Sequence, residues 1–557
     1  MAKRKKLYDI LAKKGLMNEA KNAISEAQQK ITGELIGKTL MDLGFVSSRE
    51  VAEGLAEQAG LPFVDLNNYN INEEALKKVP IDLADKNGFI PLDIADSRLT
   101  IGVINPFNIS AMDAVTRLLG HSPKICVVDT VSYYEALDKA YSFLETPLSE
   151  QLEDIITKFN QSNMLQNDSI SLLAELLIKD GTRNGATDIH ITPFEQAVHI
   201  FYRIDGVLVH AYCVPKVAQN GIVSRIKVMS SIDIAENRLP QDGYFKFSFL
   251  KKNYDMRVST APTIYGEKIV IRVLSGSVGM LLDIAQLGFD KNDTKKLQQL
   301  FNKPNGIILI TGPTGSGKTT TLYAALREVN ILEKNVITVE DPVEYRLSLV
   351  TQTQINPKAG YDFALAGKYF MRQDPDVILI GEIRDENTAT IAIRASITGH
   401  LVLSTLHTND AISSVPRLLD LKIDKFLLAA SLIGVIAQRL VRKLCAFCKE
   451  KRDLTDEHRQ YLLSSGFTEE KINEISEKIY TAIGCRECKQ TGYHGRTVIG
   501  EILIIDDEMK ELISEGASFM KMKKTAVKQG LKSIRDNALE KALMGITDIP
   551  EMIRVVG

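Results

Sequence analysis

Gly306 to Thr320 reads GIILITGPTGSGKTT. The apolar run IILIT leads straight into Gly312-x-x-x-x-Gly317-Lys318-Thr319, and TTLYAALREV continues with helical spacing. Strand, glycine-rich loop and helix in that order form a phosphate-binding loop. The glycines let backbone N–H groups turn inward around phosphate oxygens, and the helix N-terminus adds the positive end of its dipole. On this reading Gly312, Thr314, Gly315, Ser316 and Gly317 make the cradle for ATP. Lys318 reaches the β- and γ-phosphates, and Thr319, followed by Thr320, offers a hydroxyl to Mg2+.

Three further runs end in groups that suit the same ligand. VITVE places Glu340 and Asp341 just beyond a β-branched run, DVILIGE places Glu382 after four apolar residues, and LVLSTLH places His407 two residues past a third strand. Ligands of open parallel sheets bind beyond the carboxyl ends of the strands, so these groups are expected to converge on one crevice. Hydrolysis needs a held metal ion and an oriented or deprotonated water, and carboxylates do both. A strand-end acid alone is more commonly a turn residue or a helix cap, and it is the phosphate loop that gives these acids a chemical reading. Arg257 and Arg272 interrupt the β-forming runs RVSTAPT and IVIRVL upstream of the loop. An arginine presented to a γ-phosphate contributes roughly 10³–10⁵ in rate. On spacing alone, a salt-bridged strand arginine is the commoner case.

Cys445-x-x-Cys448 and Cys485-x-x-Cys488 form a second constellation. Two such pairs read as a closed structural site in which Zn2+ takes four thiolates, with separate redox pairs as the alternative. A closed site leaves no open coordination position, so its role is folding. Cys126 and Cys213 stand in apolar contexts and are expected in the core.

These groups sit in a chain of 557 residues, long enough for three or four domains of ordinary size, with 45% apolar residues. Its 68 Lys and Arg against 70 Asp and Glu, net −2, argue against nucleic acid as partner. Six cysteines in this length are no disulfide scaffold. The longest apolar stretch, FLLAASLIGVIA from Phe426 to Ala437, suits a buried core helix and is too short to cross a bilayer. The basic N-terminus MAKRKKLYDILAKKG lacks the apolar core of a signal peptide and reads as a solvated tail, which points to the cytoplasm.

Residues 34–60 read as a short turn and a helix, with Ser47 and Glu50 at capping-box spacing and Val51, Leu55 and Ala59 on one face. FIPLDIAD and RLTIGVINP alternate with ISAMDAVTRLLG and SYYEALDKAYSFL, an N-terminal α/β module over 1–145. A polar segment over 146–168 is expected as a linker, helical in part. The helix SISLLAELLIKDGTRNG opens a middle module over 169–285, with strands AVHIFYRIDG, YFKFSF, YDMRVSTAPT and EKIVIRVL.

GPTGSGKTT, TVEDPVE, RQDPDVILIGEIRD and TGHLVLSTLHTND resemble the Walker A, Asp box, Walker B and His box of the type II and type IV pilus secretion ATPases. AQRLVRKLC, the second CxxC and GYHGR are also typical of that family, and ATDIHITPFEQAVHIFYRIDG, LPQDG and YGEKIVIRVL resemble the module that precedes its ATPase core. The resemblance runs from about residue 35 to the end and is nearest to the type IV pilus assembly (extension) ATPases, with the type II secretion ATPase as the alternative. It implies a multidomain α/β chain with a PAS-like middle domain and a RecA-like core over 286–557, carrying a zinc-binding insertion at about 440–495. It also implies a homohexamer acting on an inner-membrane platform protein, with membrane association only through that partner. ATP would lie between the middle module and the core, with Glu340 and Asp341 in the Asp-box role, Glu382 in the Walker-B role, and His400 and His407 in the His-box role. Arg203, Arg257 and Arg272 match arginines that contact the phosphates, while Tyr244 replaces a family arginine in LPQDG-Tyr. LIGKTLMDLGFVSSREVAEGLAEQ resembles a cyclic di-GMP motif, but Leu35 stands at its arginine position and Asp85-Lys86 at a second arginine pair. Binding of that dinucleotide is therefore expected to be weak or lost.

Overall fold

The computed structural model describes residues 6–66, 69–95, 98–141, 148–161, 167–249, 252–275, 283–464, 466–476 and 479–557, in two compact units, 1–280 and 281–557.

The first unit opens with helices Leu7–Lys13, Glu19–Thr32, Ile36–Asp42 and Ser48–Ala59, so a helix stands where only a turn is expected after residue 34. The Ser47–Glu50 capping box is formed, with the Ser47 N–H donating to the Glu50 carboxylate at 2.6 Å. Of Val51, Leu55 and Ala59 only Val51 is fully buried. The inward stripe runs through Val51, Ala52, Gly54 and Ala56, because Leu7 packs where a Cβ on Gly54 would stand, 2.7 Å away. Strands β1 (Phe89–Ala95), β2 (Arg98–Val103) and β3 (Lys124–Val127) follow, β1–β2 antiparallel and β2–β3 parallel. Helix Thr130–Tyr141 covers them and drives Tyr133 into the core, where its hydroxyl donates to the Ala84 carbonyl at 3.0 Å.

The segment expected as a linker contains a helix, Leu148–Gln161, while residues 142–147 and 162–166 lie outside the described residues. Leu152, Ile156 and Phe159, spaced four and three apart, bury one side of this helix in the core of the middle module. That core lies under a six-stranded antiparallel sheet of β4 (Ala186–Pro193), β5 (Ala197–Ile204), β6 (Val207–Pro215), β7 (Gln241–Phe249), β8 (Lys252–Thr263) and β9 (Gly266–Ser275). The spatial order is β6-β5-β4-β9-β8-β7. Ile189, Ile191, Ile200, Val258 and Ile271 alternate inward against helices that include Asn167–Arg183, leaving the polar alternates on the other face. Cys213 is exposed on β6 instead of buried, and Cys126 is buried on β3.

The second unit is built on β10 (Gly306–Thr311), β11 (Val336–Glu340), β12 (Thr351–Gln354), β13 (Val377–Ile380), β14 (Leu401–Leu406) and β15 (Leu432–Leu444). After the two-stranded pair β16 (Glu450–Lys451) and β17 (Tyr480–Thr481), strand β18 (Tyr493–Ile504) completes the sheet in the order β12-β11-β13-β14-β10-β15-β18. All neighbours are parallel except β15 and β18. The central strands are buried on both faces, hence their continuous apolar runs. FLLAASLIGVIA is not one core helix: helix Lys425–Ser431 leaves Phe426 and Leu427 exposed, and the chain then enters β15 at Leu432. The β-branched Ile433, Val435 and Ile436 favour that switch. Among the described residues, no helix is long and apolar enough to cross a membrane.

Candidate functional site

The loop between β10 and helix Lys318–Glu328 turns through Gly312, Gly315 and Gly317 at φ +145°, +79° and +87°, a region that side chains with a Cβ seldom adopt. At Gly312 a Cβ would also lie 2.3 Å from the Gln438 carbonyl oxygen, so β15 runs directly beneath the loop. The Gln438 side chain, fully buried, donates from Nε2 to the Ser316 carbonyl at 2.9 Å and accepts from Thr321 Oγ1 at 2.9 Å. It fastens the loop and its helix to β15. The Lys318 ammonium donates to the carbonyls of Gly312 at 2.8 Å and Pro313 at 3.2 Å. Burial lowers its pKa and the charge of Glu382 pulls the other way. Ser316 Oγ is buried with no hydrogen-bond partner among the described residues, an unmet polar atom in the loop itself. Thr314 and Thr319 are exposed beside it, with Thr320 half-buried.

Glu382 lies two residues past β13, and β14 runs directly into His407. His407 Nε2 is 3.6 Å from Glu382 Oε2, and Arg384 pairs with the other carboxylate oxygen. Thr408 fixes the His407 loop to the end of β10: its N–H donates to Thr311 Oγ1 at 2.9 Å and the two hydroxyls share a hydrogen bond at 2.6 Å. Asp341 is exposed. Its charge and that of Glu382 both act on Arg384. Lys318, Glu382, His407, Arg384 and Asp341 are thus brought together. Glu340, by contrast, is the last residue of β11, 5% exposed and enclosed by donors.

His400 is not brought to this crevice. It precedes β14, with Nδ1 2.8 Å from the Ala395 carbonyl and 3.1 Å from Thr398 Oγ1, while its own carbonyl accepts from Gly306 N–H at the start of β10. The six residues of β14 separate it from His407, about 20 Å of extended strand.

The arginines of the middle module form a row across the outer face of its sheet. Arg203 on β5, Asp188 on β4, Arg272 on β9, Arg257 on β8 and Tyr244 on β7 are register partners in succession. Arg272 Nε donates to Asp188 Oδ1 at 3.1 Å, and Arg203 Nε lies 3.7 Å from Oδ2. Arg257 and Arg272 stand directly opposite each other on β8 and β9. Tyr244 is 77% exposed at the end of the row. Asp188, Gln438 and Arg384 escape sequence reasoning, and only the strand register reveals the first of them.

The four cysteine sulfurs lie within 4.8 Å of one another. The Cys445–Cys485 and Cys448–Cys488 pairs are at 3.8 Å and Cys485–Cys488 at 3.7 Å. Sulfurs about 2.3 Å from the centre of a tetrahedron are separated by about 3.8 Å, so this donor set fits a tetrahedral ion, whereas a disulfide needs about 2 Å. Burial pushes the Cys445 thiol up to about 12. At Cys488 burial acts in the same sense but is outweighed, because the N–H groups of Cys485 and Gly492, each 3.1 Å from Sγ, bring it to about 7.

A glycine-rich loop on the central strand of a parallel sheet, with an acid and a histidine at the neighbouring strand ends, defines a P-loop ATPase with a RecA-like core. The sequence profile described as "Type II/IV secretion system protein" matches residues 164–554, and the chain belongs to that family. A second profile, "MshEN domain", matches residues 59–146. It includes Asp85-Lys86 and leaves Leu35 outside. The type IV pilus assembly ATPase PilB of Myxococcus xanthus is 38% identical over 98% of both chains. The type II secretion system ATPase E of Vibrio cholerae is 38% identical over 86% of this chain and 97% of that protein. The X-ray structure of the Legionella pneumophila ATPase DotB covers 69% of this chain and 95% of its own, with a TM-score of 0.51 at 19% identity, a likeness of fold.

Proposed function

We propose that this chain is the motor subunit for type IV pilus assembly, a homohexamer at the cytoplasmic side of the inner membrane that turns ATP hydrolysis into work on a membrane platform protein. The observation that carries this reading is the 98% coverage of both chains by the M. xanthus pilus assembly ATPase, which takes in the N-terminal module as well as the ATPase core. In the proposed reaction the loop from Gly312 to Gly317 and Lys318 hold the phosphates, and the Thr319 hydroxyl, with Thr320 beside it, would hold a Mg2+ that would neutralise developing charge. Glu382 orients the attacking water and His407 sets that carboxylate, both at the mouth of the same loop. Asp341, exposed just past β11, completes the acidic edge, and Glu340, buried behind it, is proposed to share the Asp-box role in hydrolysis. Arg203, Arg257 and Arg272 are proposed to meet nucleotide phosphates, with Asp188 holding two of them in register.

The Cys445–Cys448–Cys485–Cys488 set is proposed to hold Zn2+ and to close the insertion between β15 and β18. For the N-terminal module, weak or absent cyclic di-GMP binding is proposed. Leu35 caps a helix and is 68% exposed, and Asp85 and Lys86 lie on helix Ile81–Asn87, so arginine forks are missing from these positions. Calorimetric binding at micromolar or tighter affinity would overturn that. Lys318→Ala in the source cell separates the two secretion machines: lost surface pili with normal enzyme export supports pilus assembly, and lost export with normal pili supports type II secretion.

A further inference from the structure

Three donors converge on the buried carboxylate of Glu340. The Tyr323 hydroxyl donates to Oε2, Thr338 Oγ1 donates to Oε1 at 2.6 Å, and Gln352 Nε2 donates to Oε1 at 3.2 Å. The donors come from three elements: the helix that follows the phosphate loop, β11 itself, and the neighbouring edge strand β12. Thr338 and Gln352 belong to strands of the sheet that carries Glu340. Tyr323 does not. It lies five residues beyond Lys318 on helix Lys318–Glu328, whose N-terminus is the phosphate cradle.

Tyr323 is 1% exposed, and its ring packs edge-on against Tyr345 with centroids 5.7 Å apart. Its hydroxyl is also 3.5 Å from the Tyr345 N–H. A buried phenol held by an aromatic neighbour has one place to put its proton, the carboxylate in front of it. Burial and the Glu340 charge both push its pKa up, so it remains a donor across the working pH range.

We propose that Tyr323 is a positioning residue for the proposed acid Glu340, fixing the direction of its carboxylate and linking that direction to the helix that carries the phosphate loop. The physical reason is leverage within one rigid helix. A shift of the phosphate loop on nucleotide binding moves Tyr323 with it, and the carboxylate that accepts from Tyr323 turns accordingly. The strand end that carries Glu382 is tied to β11 beside Glu340, because the Gly381 N–H donates to the Val339 carbonyl at 2.8 Å. The two acids are thereby set from one side by Tyr323 and from the other by His407 and Arg384. This inference rests on the proposed role of Glu340 in hydrolysis.

The test is a double-mutant cycle on the purified full chain, with Tyr323→Phe, Glu340→Gln and the pair, reading steady-state ATPase kinetics, fluorescent-nucleotide affinity and melting temperature. Tyr323→Phe keeps the ring and its packing against Tyr345 and removes only the hydroxyl. The expected result is a kcat reduced at least about tenfold, a fraction of the roughly 100-fold that a 1 Å misplacement can cost, with ATP KM and nucleotide affinity within twofold. In the Glu340→Gln background the same change should alter kcat by less than twofold, since there is no carboxylate left to direct. A tenfold loss that persists in the Glu340→Gln background shows that Tyr323 acts through something else and overturns the proposal. So does an unchanged kcat for Tyr323→Phe while Glu340→Gln is strongly impaired, with the role of Glu340 left standing. A Glu340→Gln enzyme of wild-type kcat overturns both the proposal and the role of Glu340 on which it rests. If Tyr323→Phe melts below the assay temperature, the same cycle is read at a temperature at which all four proteins are folded, with the same outcomes.

Discussion

Replacing Gln438 by Met tests whether β15 sets the shape of the phosphate loop. Methionine keeps the length and flexibility of the side chain and removes both hydrogen bonds, one to the Ser316 carbonyl and one from Thr321 Oγ1, each 2.9 Å long. Thr321 is four residues beyond Gly317 and can turn its hydroxyl to that carbonyl, the usual refuge of a helical threonine. The Ser316 carbonyl has no such alternative within the buried cradle. An orphaned buried acceptor costs about 1–3 kcal/mol. If the loop relaxes away from the binding geometry to re-satisfy it, the same energy reappears as about a 5- to 150-fold loss of ATP affinity. Titration of purified protein with a fluorescent ATP analogue, beside steady-state kinetics, should show weaker binding and a raised KM with kcat within threefold. Metal bound at the cysteines should not change. Wild-type nucleotide affinity together with a lower melting temperature would refute the reasoning, because the amide would then be serving stability alone.

Cys485→Ser should lower bound zinc and thermal stability together, measured by elemental analysis and calorimetry; a wild-type chain that is metal-free and equally stable would contradict the tetrahedral site. His407→Ala should reduce ATPase kcat at least tenfold while His400→Ala leaves it within twofold, since the two histidines stand at opposite ends of β14. Glu551, fully buried, accepts from Arg554 and Arg442, and these bonds outweigh the opposing effect of burial and lower its pKa below 4.5. Its contribution to stability is whole above about pH 4.5 and disappears as pH falls through the lowered value, the direction of linkage for a depressed carboxylate. Glu551→Gln should therefore destabilise by about 1–3 kcal/mol at pH 7, since both arginines keep access to water, with the deficit in melting temperature shrinking below pH 4.

The phosphate loop and the cysteine quartet were legible in the sequence because their chemistry demands particular residue types at short, fixed spacing. Positive φ at Gly312, Gly315 and Gly317 admits little but glycine, and a thiolate pair two residues apart folds into one knuckle. The carboxyl-end rule for parallel strands puts Glu382 and His407 at one end of the sheet, where the structure has them, whereas the boxed motif carries no such rule and His400 stands at the other end of β14. Motif membership says nothing about which end of a strand a residue occupies. Gln438 was invisible because a lone amide in an apolar run carries no period, and its partners are 122 and 117 residues away. The row Arg203, Asp188, Arg272, Arg257 depends on register across four strands, which no local pattern encodes. Phe426 to Ala437 was misread for a related reason: a short apolar run fits a buried helix or a buried strand equally well.

The central claim is that the loop closed by Lys318, with Glu382 beside it, is the ATP-hydrolysing site of a motor subunit. The most direct measurement is the ATPase rate of purified Lys318→Ala, taken with its melting temperature and its cysteine-bound metal. Hydrolysis should be abolished while folding and metal content match the wild type. Hydrolysis at the wild-type rate in that variant would contradict the claim.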